Sequence, residues 1–226
     1  MLIAFLLTTV ILGLLFYASY NIASGVYLKS LCYNKDAGNA IAITFDDGVD
    51  PVMTPKVLDV LKRYDAKATF FIVGEKAVRH PEIVRRIVAD GHGIGNHSYF
   101  HKWNFPLKST SEIFNEIEMC KLALQKTAGF DTILFRPPFG VTNPMVGRAA
   151  RKASVVSIGW SIRSLDTMGH PIAQVRERVA RKVRSGKVIL LHDNRAGADI
   201  LLEGILIDIN NKGLRTATIN ELFKID

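Results

Sequence analysis

Two neighbouring carboxylates mark the first place where the sequence could do chemistry. Asp46 and Asp47 follow an apolar run and precede Gly48. Adjacent carboxylates at the end of a strand are unfavourable unless a positive group lies beside them. An isolated Asp-Asp-Gly is commonly a surface turn or a helix cap. The functional alternative is that one carboxylate binds a metal ion while the other acts on a water molecule.

A pair of histidines offers partners for these carboxylates. His97 and His101 have the i, i+4 spacing that places two imidazoles on one helical turn, and this spacing suits a divalent metal. Such a pair is often structural when it stands alone. Together with an aspartate, the two histidines make a three-ligand set that leaves coordination positions open, as a catalytic metal site requires.

Two further side chains have contexts that favour catalysis. His192 follows the apolar run 188–191, so an imidazole is delivered to the end of a strand, where a general acid or base is favoured over a core histidine. Arg136 precedes Pro137 and Pro138, and a rigid loop suits a guanidinium that orients a carboxylate. A purely structural cation is the alternative for Arg136.

The elements that must position these residues alternate along the chain. From residue 40 onward, short β-rich runs alternate with helical patterns, which indicates an α/β fold with a parallel sheet. Strands are predicted near residues 40–45, 67–73, 93–95, 132–135, 155–160, 187–191 and 215–219. About seven such units favour a barrel, with an open doubly wound sheet as the alternative. In both architectures ligands bind at the C-terminal ends of the strands, where these polar residues fall.

Two helix starts have recognisable capping patterns. Thr54 followed by Pro55 is typical of an N-cap and a first-turn proline. Ser109 and Glu112 have the spacing of a capping box at the head of a long helix. Both patterns predict helices that connect consecutive strands.

The N-terminus predicts a membrane segment. The first 28 residues contain no Lys, Arg, Asp or Glu, and residues 2–20 are almost continuously apolar. A helix of that length is about 28 Å long, which predicts one N-terminal transmembrane helix. A cleaved signal peptide is the alternative, although no basic residue precedes the run. We therefore predict an anchor or signal segment at 1–23, a linker at 24–37 and a catalytic domain at 38–226.

Composition narrows the class of partner. The formal net charge of +8 lies entirely outside the apolar segment, and a basic surface suits anionic surroundings such as a wall polymer or phospholipid headgroups. No nucleic-acid-binding motif accompanies the charge, so nucleic acid is not an expected partner. Cys32 and Cys120 could pair or remain free, and the helical pattern around Cys120 predicts a small buried thiol.

The ordered motifs resemble the polysaccharide deacetylase family, which includes chitin, chito-oligosaccharide and peptidoglycan deacetylases. The resemblance covers about residues 38–222 and depends on five motifs in the family's order: Thr44 to Gly48, His97 to His101, Arg136 to Gly140, Trp160 to Asp166, and Leu190 to His192. It implies a distorted (β/α) barrel of parallel strands. It also implies a divalent metal cofactor, usually zinc, with cobalt or nickel as alternatives.

The resemblance assigns roles to nine residues. The implied metal ligands are Asp47, His97 and His101. The implied catalytic residues are Asp46 as general base, His192 as general acid, Arg136 as the residue that orients the base, and Asp166 as the carboxylate that supports the acid histidine. The implied substrate-binding residues are Phe139, whose backbone N–H faces the oxyanion, and Leu190, a wall of the acetate pocket.

Two positions depart from the family pattern. Phe139 stands where the family often has tyrosine, and a backbone role survives that change. Thr167 stands where the family often has tryptophan immediately after the position of Asp166. The loss of a large aromatic side chain there alters one side of the expected acetyl pocket and leaves the choice of substrate open.

These observations predict a metal-dependent hydrolase that removes acetyl groups from N-acetylated sugars of a cell-wall or surface polysaccharide. The expected partner is a glycan containing N-acetylglucosamine, and no obligate protein partner is evident. The alternatives are an O-acetyl esterase on a glycan such as acetylxylan, and a non-catalytic membrane-tethered glycan-binding module. The substrates place the domain on the extracytoplasmic side, although Lys29 and Lys35 follow the apolar segment and bias it the other way.

Overall fold

Strands and helices alternate along nearly the whole chain. The computed structural model describes residues 1–225, without the side chain of residue 4. The described strands are β1 Ser30–Leu31, β2 Ala40–Gly48, β3 Thr69–Ile72, β4 Gly93–Asn96, β5 Leu134–Phe135, β6 Val156–Ile158, β7 Ile162–Arg163, β8 Val188–His192 and β9 Arg215–Ala217. The described helices are α1 Leu2–Tyr20, α2 Met53–Arg63, α3 Gly74–Arg79, α4 Pro81–Ala89, α5 Thr110–Ala128, α6 Pro144–Lys152, α7 Ile172–Ala180, α8 Ala198–Asn211 and α9 Ile219–Phe223.

The strands form one parallel sheet. Eight strands follow the order β1-β6-β5-β4-β3-β2-β8-β7, and β9 pairs with the start of β2. The predicted parallel α/β architecture is confirmed, but the sheet is a half-barrel and has more than the predicted seven strands. Within the described chain, β1 and β7 are edge strands of two residues each that do not pair with one another, so the barrel does not close.

The period of two along β2 explains how the sheet carries a site. Ile41, Ile43 and Phe45 pack into the larger core cluster beneath the helices. Ala40 and Ala42 belong to a second cluster on the opposite face of the strand. Since side chains alternate between the two faces of a strand, the residues at positions 44 and 46 continue the row of the two alanines. Polar groups are thereby placed on the concave face, at its C-terminal end.

One of the two predicted helix starts is correct. The capping box of α5 forms, because Ser109 accepts a hydrogen bond from the backbone N–H of Glu112 and the Glu112 side chain accepts one from Ser109. The predicted N-cap role of Thr54 is wrong. Asp50 accepts the backbone N–H of Met53 at 2.7 Å, which satisfies the first turn of α2 and leaves Thr54 inside the helix.

The N-terminal helix covers the predicted apolar segment. α1 spans Leu2–Tyr20, and its C-terminal end contacts the domain where Thr142 donates to the carbonyl of Ser19 at 2.9 Å. The prediction of a transmembrane helix is not supported: a search of the described residues finds no helix whose length and apolar character suffice to cross a membrane. Within the predicted linker 24–37, Ser30 and Leu31 form β1. The predicted domain boundary at residue 226 lies outside the described residues.

The two cysteines are free. Cys120 is fully buried in α5, as predicted, and burial raises the pKa of its thiol to about 12. Cys32 is half-buried and lies close to Gly159, and burial raises the pKa of its thiol as well. No disulfide links them in the described structure, and neither thiol is ionised near neutral pH.

Candidate active site

The two proton-transfer candidates lie on adjacent strands. Asp46 near the end of β2 is in direct register with His192 at the end of β8. Asp46 is 4% exposed, whereas His192 is partly exposed in the cleft. Parallel pairing of two strands that both end in polar residues therefore brings a carboxylate and an imidazole to one edge of the sheet.

A buried arginine holds Asp46 in place. Arg136 is fully buried, and its Nη1 donates to Asp46 Oδ1 at 2.6 Å and to Thr44 Oγ1 at 2.8 Å. Its Nε and Nη2 donate to the carbonyls of Ile158 and Gly159 at 3.0 and 2.9 Å. Burial lowers the pKa of the guanidinium, and the neighbouring Asp46 carboxylate opposes that shift. Because four acceptors fix the fork, the arginine orients the carboxylate and offsets the cost of burying its charge.

Asp47 and the two histidines converge. Oδ1 of Asp47 lies 3.4 Å from His97 Nε2 and 3.2 Å from His101 Nε2, and the three potential ligand atoms lie within 4.8 Å of one another. Burial alone would raise the pKa of Asp47, but the hydrogen bond and charge of His97 and the charge of His101 hold it well below its usual range. Burial, aided by repulsion from His97, lowers the pKa of His101 to about 4. An ionised carboxylate and a neutral imidazole are the forms that bind metals.

The histidine pair is brought together by a loop. The prediction of one helical turn for residues 97–101 is wrong, because β4 ends at Asn96 and the following residues are not helical. The Asn96 side chain accepts the N–H of Ser98 at 2.9 Å, and Ser98 Oγ accepts the N–H of His101 at 3.1 Å. Ser98 and His101 have φ of 63° and 51°. This tight turn folds His101 back towards His97 and leaves their ring centroids 4.6 Å apart.

The residues present fit a divalent metal ion. Nδ1 of His97 lies 2.8 Å from the carbonyl of Arg136, so that nitrogen is engaged and Nε2 faces the site. Nε2 of His101 is buried and has no hydrogen-bond partner among the described residues. One carboxylate and two imidazoles match the donor set that zinc accepts in catalytic sites, with positions left open. Asp47, His97 and His101 are therefore suited to hold such an ion.

A second carboxylate supports His192. Asp166 Oδ1 lies 2.9 Å from His192 Nδ1, and Asp166 Oδ2 accepts the backbone N–H of His192 at 2.8 Å. Ser164 donates to the same carboxylate at 2.8 Å. Burial alone would lower the pKa of His192, but Asp166 and the charges of Asp46 and Asp47 outweigh it and raise that pKa. The imidazolium form is therefore stabilised, as a general acid requires.

The walls of the cleft combine apolar and aromatic groups. The cleft has a volume of about 240 Å³ and contains eight of the nine predicted site residues, with Arg136 beneath it. Phe139 is half exposed, has φ of 62°, and its ring lies 4.9 Å from that of His101. A Cβ added to Gly140, whose φ is 67°, would meet the Trp160 ring at 2.2 Å. Close packing of backbone on an indole thus shapes one wall of the cleft, which Leu190 also lines.

Several supporting residues were not predicted. Nζ of Lys76 donates to the carbonyl of Asp47 at 2.6 Å. Behind that turn, Asp193 is fully buried, accepts from Thr54 Oγ1 at 2.6 Å, and lies so close to Gly48 that a Cβ there would meet its carboxylate at 2.5 Å. Asp193 follows His192 directly, which was the available signal. No sequence signal indicated Lys76, because its contact with the Asp47 carbonyl depends on how α3 packs against that turn.

Comparison with known proteins identifies relatives of this chain. The polysaccharide deacetylase family matches residues 33–158. A peptidoglycan-N-acetylglucosamine deacetylase of Bacillus cereus is 35% identical over 189 residues, covering 81% of this chain and 88% of that protein. A chitooligosaccharide deacetylase of Sinorhizobium fredii is 30% identical over 168 residues, covering 74% and 78%.

A solved structure agrees with these sequence matches. The crystal structure of a peptidoglycan N-acetylglucosamine deacetylase superimposes with a TM-score of 0.80 at 32% identity, covering 87% of this chain and 93% of that one. The match therefore includes the half-barrel and its loops. The chain belongs to the polysaccharide deacetylase family, as an N-deacetylase that hydrolyses carbon–nitrogen bonds other than peptide bonds.

Proposed function

We propose that this enzyme is a metal-dependent deacetylase that removes the acetyl group from N-acetylglucosamine residues of peptidoglycan. The observation that carries the proposal is the position of Asp46. Its Oδ1 binds Arg136, its Oδ2 lies 3.8 Å from His97 Nε2, and it is in register with His192. A proton acceptor thus stands between a metal-binding set and a proton donor.

The first chemical step is attack of water on the acetyl carbonyl. A divalent ion held by Asp47, His97 and His101, zinc by preference, would polarise that carbonyl and lower the pKa of water. Asp46 takes the proton of the attacking water as general base. Arg136 keeps the carboxylate aimed at the cleft, since its other three hydrogen bonds leave the guanidinium no alternative orientation.

The second step is departure of the sugar amine. His192, protonated and held by Asp166, donates a proton to the leaving nitrogen. The backbone N–H of Phe139 stabilises the negative charge on the tetrahedral oxygen. Leu190, which is 4% exposed, lies against the acetyl methyl as an apolar wall. The scissile group is therefore bound on one side by apolar contact and on the other by charge.

Similarity supports peptidoglycan as the polymer. The Bacillus cereus relative, named for peptidoglycan, shares 35% of its residues with this chain over 88% of its own length. Thr167, which is exposed, lines the cleft together with His192 and presents no large aromatic side chain there.

Product analysis tests the proposal. The full-length chain is incubated with peptidoglycan, chito-oligosaccharides and acetylxylan in equal sugar concentration, and products are identified by mass. We expect free amines on N-acetylglucosamine of peptidoglycan, and faster release there than from either alternative. Release from acetylxylan alone would contradict the proposal and identify an esterase. No release from any substrate by metal-loaded protein would contradict catalysis itself.

We also propose that residues 38–226 form the catalytic domain and act outside the cytoplasmic membrane, with residues 1–23 as the membrane-contacting segment and 24–37 as the connection. Peptidoglycan lies on that side, and apolar side chains of α1 such as Phe5 and Phe16 are largely exposed. Protease is added to intact spheroplasts and to lysed ones. Cleavage of the domain in intact spheroplasts supports this location, and full protection until lysis contradicts it.

A further inference from the structure

Two arginines line the catalytic cleft beside its proton donor. Arg163 ends β7 in register with Leu190, and Arg195 follows the end of β8 by three residues. Since β7 and β8 are adjacent, both arginines lie on the wall that carries Asp166 and His192. Both are exposed to solvent.

Neither guanidinium has a carboxylate partner among residues 1–225. In the described part of the chain, no carboxylate oxygen lies within 4.0 Å of Arg163 or Arg195, whereas Arg136 binds Asp46. The acidic groups of the cleft are otherwise engaged: Asp47 with the two metal-site histidines and Asp166 with His192. The cleft therefore presents two uncommitted positive charges where substrate must pass.

Arg163 also has an aromatic neighbour. Its Cζ lies 6.0 Å from the centre of the Trp160 ring, at the edge of cation–π range. A guanidinium that rests on an indole loses less conformational freedom when it binds an anion, and its planar fork matches a carboxylate. The ammonium group of a lysine is more mobile and lacks that advantage.

We propose that Arg163 and Arg195 bind carboxylate groups of the glycan, so that the enzyme selects carboxylated polymer over a neutral one. This inference rests on the proposed deacetylase function and deepens it. Two sources carry the required group in peptidoglycan: the lactyl side chain of a muramic acid without peptide, and the free carboxylates of a stem peptide. A neutral chito-oligosaccharide offers neither, so it gains nothing from the two charges.

Steady-state kinetics with three substrates tests the proposal on the full-length chain. The substrates are a neutral chito-oligosaccharide, peptide-free glycan strands with lactyl carboxylates, and strands with stem peptides. The variants are Arg163→Gln, Arg195→Gln, the double Gln variant, the corresponding single Lys changes, and Arg184→Gln as a matched control. Arg184 precedes β8 and so lies at the opposite edge of the sheet from the cleft.

We expect the Gln variants to lose selectivity because their KM for carboxylated strands rises. For each Gln variant, the ratio of kcat/KM on the preferred carboxylated strands to that on the neutral substrate falls by roughly fivefold, as loss of one partly exposed charge-assisted hydrogen bond predicts. Added salt raises KM for that substrate in the wild type and less in the double Gln variant. The Lys variants keep part of the selectivity, and Arg184→Gln keeps all of it.

The outcomes separate this inference from the proposed function. Wild-type activity with equal kcat/KM on neutral and carboxylated strands would overturn the role of the arginines while leaving deacetylation intact. An equal fall on all three substrates in the Gln variants would overturn it too, since a general loss of structure moves the ratio little. If only peptide-bearing strands lose rate, the stem peptide is the carboxylate source; if peptide-free strands also do, the lactyl group is.

Discussion

Arg136 Nη1 donates to Asp46 Oδ1 at 2.6 Å in a place where the arginine side chain has no solvent exposure and the aspartate side chain has 6%. Burial of a charged carboxylate to this extent is unfavourable unless a cation pairs with it. Arg136 therefore holds the general base in place at the end of β2. Its removal affects both stability and catalysis.

Replacement of the arginine by an apolar side chain of similar length tests that dependence. In Arg136→Met, Asp46 is left buried without its cation, which costs about 3 kcal/mol of the free energy of unfolding. Asp46 also loses the hydrogen bond that orients it, and a misplaced general base lowers kcat by about 100-fold or more. Urea denaturation and acetate release measure the two effects.

The double variant Arg136→Met, Asp46→Asn provides the control. Because no charge is left to bury, its free energy of unfolding recovers part of the loss while activity stays low. Unchanged stability and unchanged kcat in Arg136→Met would contradict the role assigned to this pair.

The pH dependence of catalysis tests the support of His192 by Asp166. Asp166 raises the pKa of His192, so the acid form is available up to a pH above the ordinary range of histidine and is lost as pH rises through that pKa. Asp166→Asn removes the raising charge. The alkaline limb of the kcat profile should therefore move to lower pH.

Ser164→Ala serves as the milder comparison, since Ser164 donates to the Asp166 carboxylate and does not touch His192 in the hydrogen bonds of the described chain. We expect its alkaline limb to shift less than that of Asp166→Asn. An alkaline limb at the same pH in the wild type and in Asp166→Asn would show that another group sets it.

Metal binding should stabilise the fold through three named ligands. A ligand that binds only the folded state at 100 times its Kd adds about 2.7 kcal/mol. Zinc added to chelator-treated protein should therefore raise Tm, and His101→Ala should lose most of that rise. Asp46→Asn should keep it, because Asp46 is not in the ligand set.

The same thermal shift in His101→Ala and in the wild type would remove His101 from the site. Total metal per protein, measured after dialysis, provides an independent readout of the same question. Asp47→Ala should behave as His101→Ala does, since its Oδ1 faces both imidazoles.

Alanine substitution at two glycines of similar backbone conformation distinguishes the cost of a steric clash from the cost of backbone strain. Gly140 and Gly129 have φ of 67° and 63°, but a Cβ meets Trp160 at 2.2 Å in the first and nothing within 4 Å in the second. Gly129→Ala should cost about 1 kcal/mol of the free energy of unfolding, from backbone strain alone. Gly140→Ala should cost about 1 to 3 kcal/mol more.

Only Gly140→Ala should also disturb the cleft, because Trp160 forms its wall. We expect kcat/KM to fall about tenfold in Gly140→Ala and to stay at the wild-type value in Gly129→Ala. Equal stability and equal kcat/KM for both variants would show that the Trp160 contact has no influence on the site.

The sequence predicted which residues form the site better than it predicted the strands and loops that hold them. Apolar runs that end in polar residues predicted where Asp46 and His192 would lie, because parallel strands present their C-terminal ends at one edge. The edge strands β1 and β7 were not predicted, since neither lies within one of the β-rich runs that marked the other strands. Whether the sheet closes depends on those edges, so closure could not be predicted either.

Local backbone geometry also limited what could be predicted from the sequence. The spacing of His97 and His101 indicated a helical turn, yet the side chains of Asn96 and Ser98 accept backbone hydrogen bonds that produce a tighter loop with positive φ. The contact of Asp193 with Gly48 joins residues 145 positions apart, a relationship that no local pattern encodes. Ligand identity was predictable because the chemistry of a metal site restricts residue types more than it restricts the backbone.

Asp46 is assigned as the proton acceptor and lies outside the metal-binding set. Its role is measured by the kcat of Asp46→Asn for acetate release from peptidoglycan, with metal content determined on the same sample. We expect wild-type metal content and a kcat at least about 10³-fold lower, because the amide retains the shape of the carboxylate but accepts no proton. Wild-type metal content together with near wild-type kcat would contradict it.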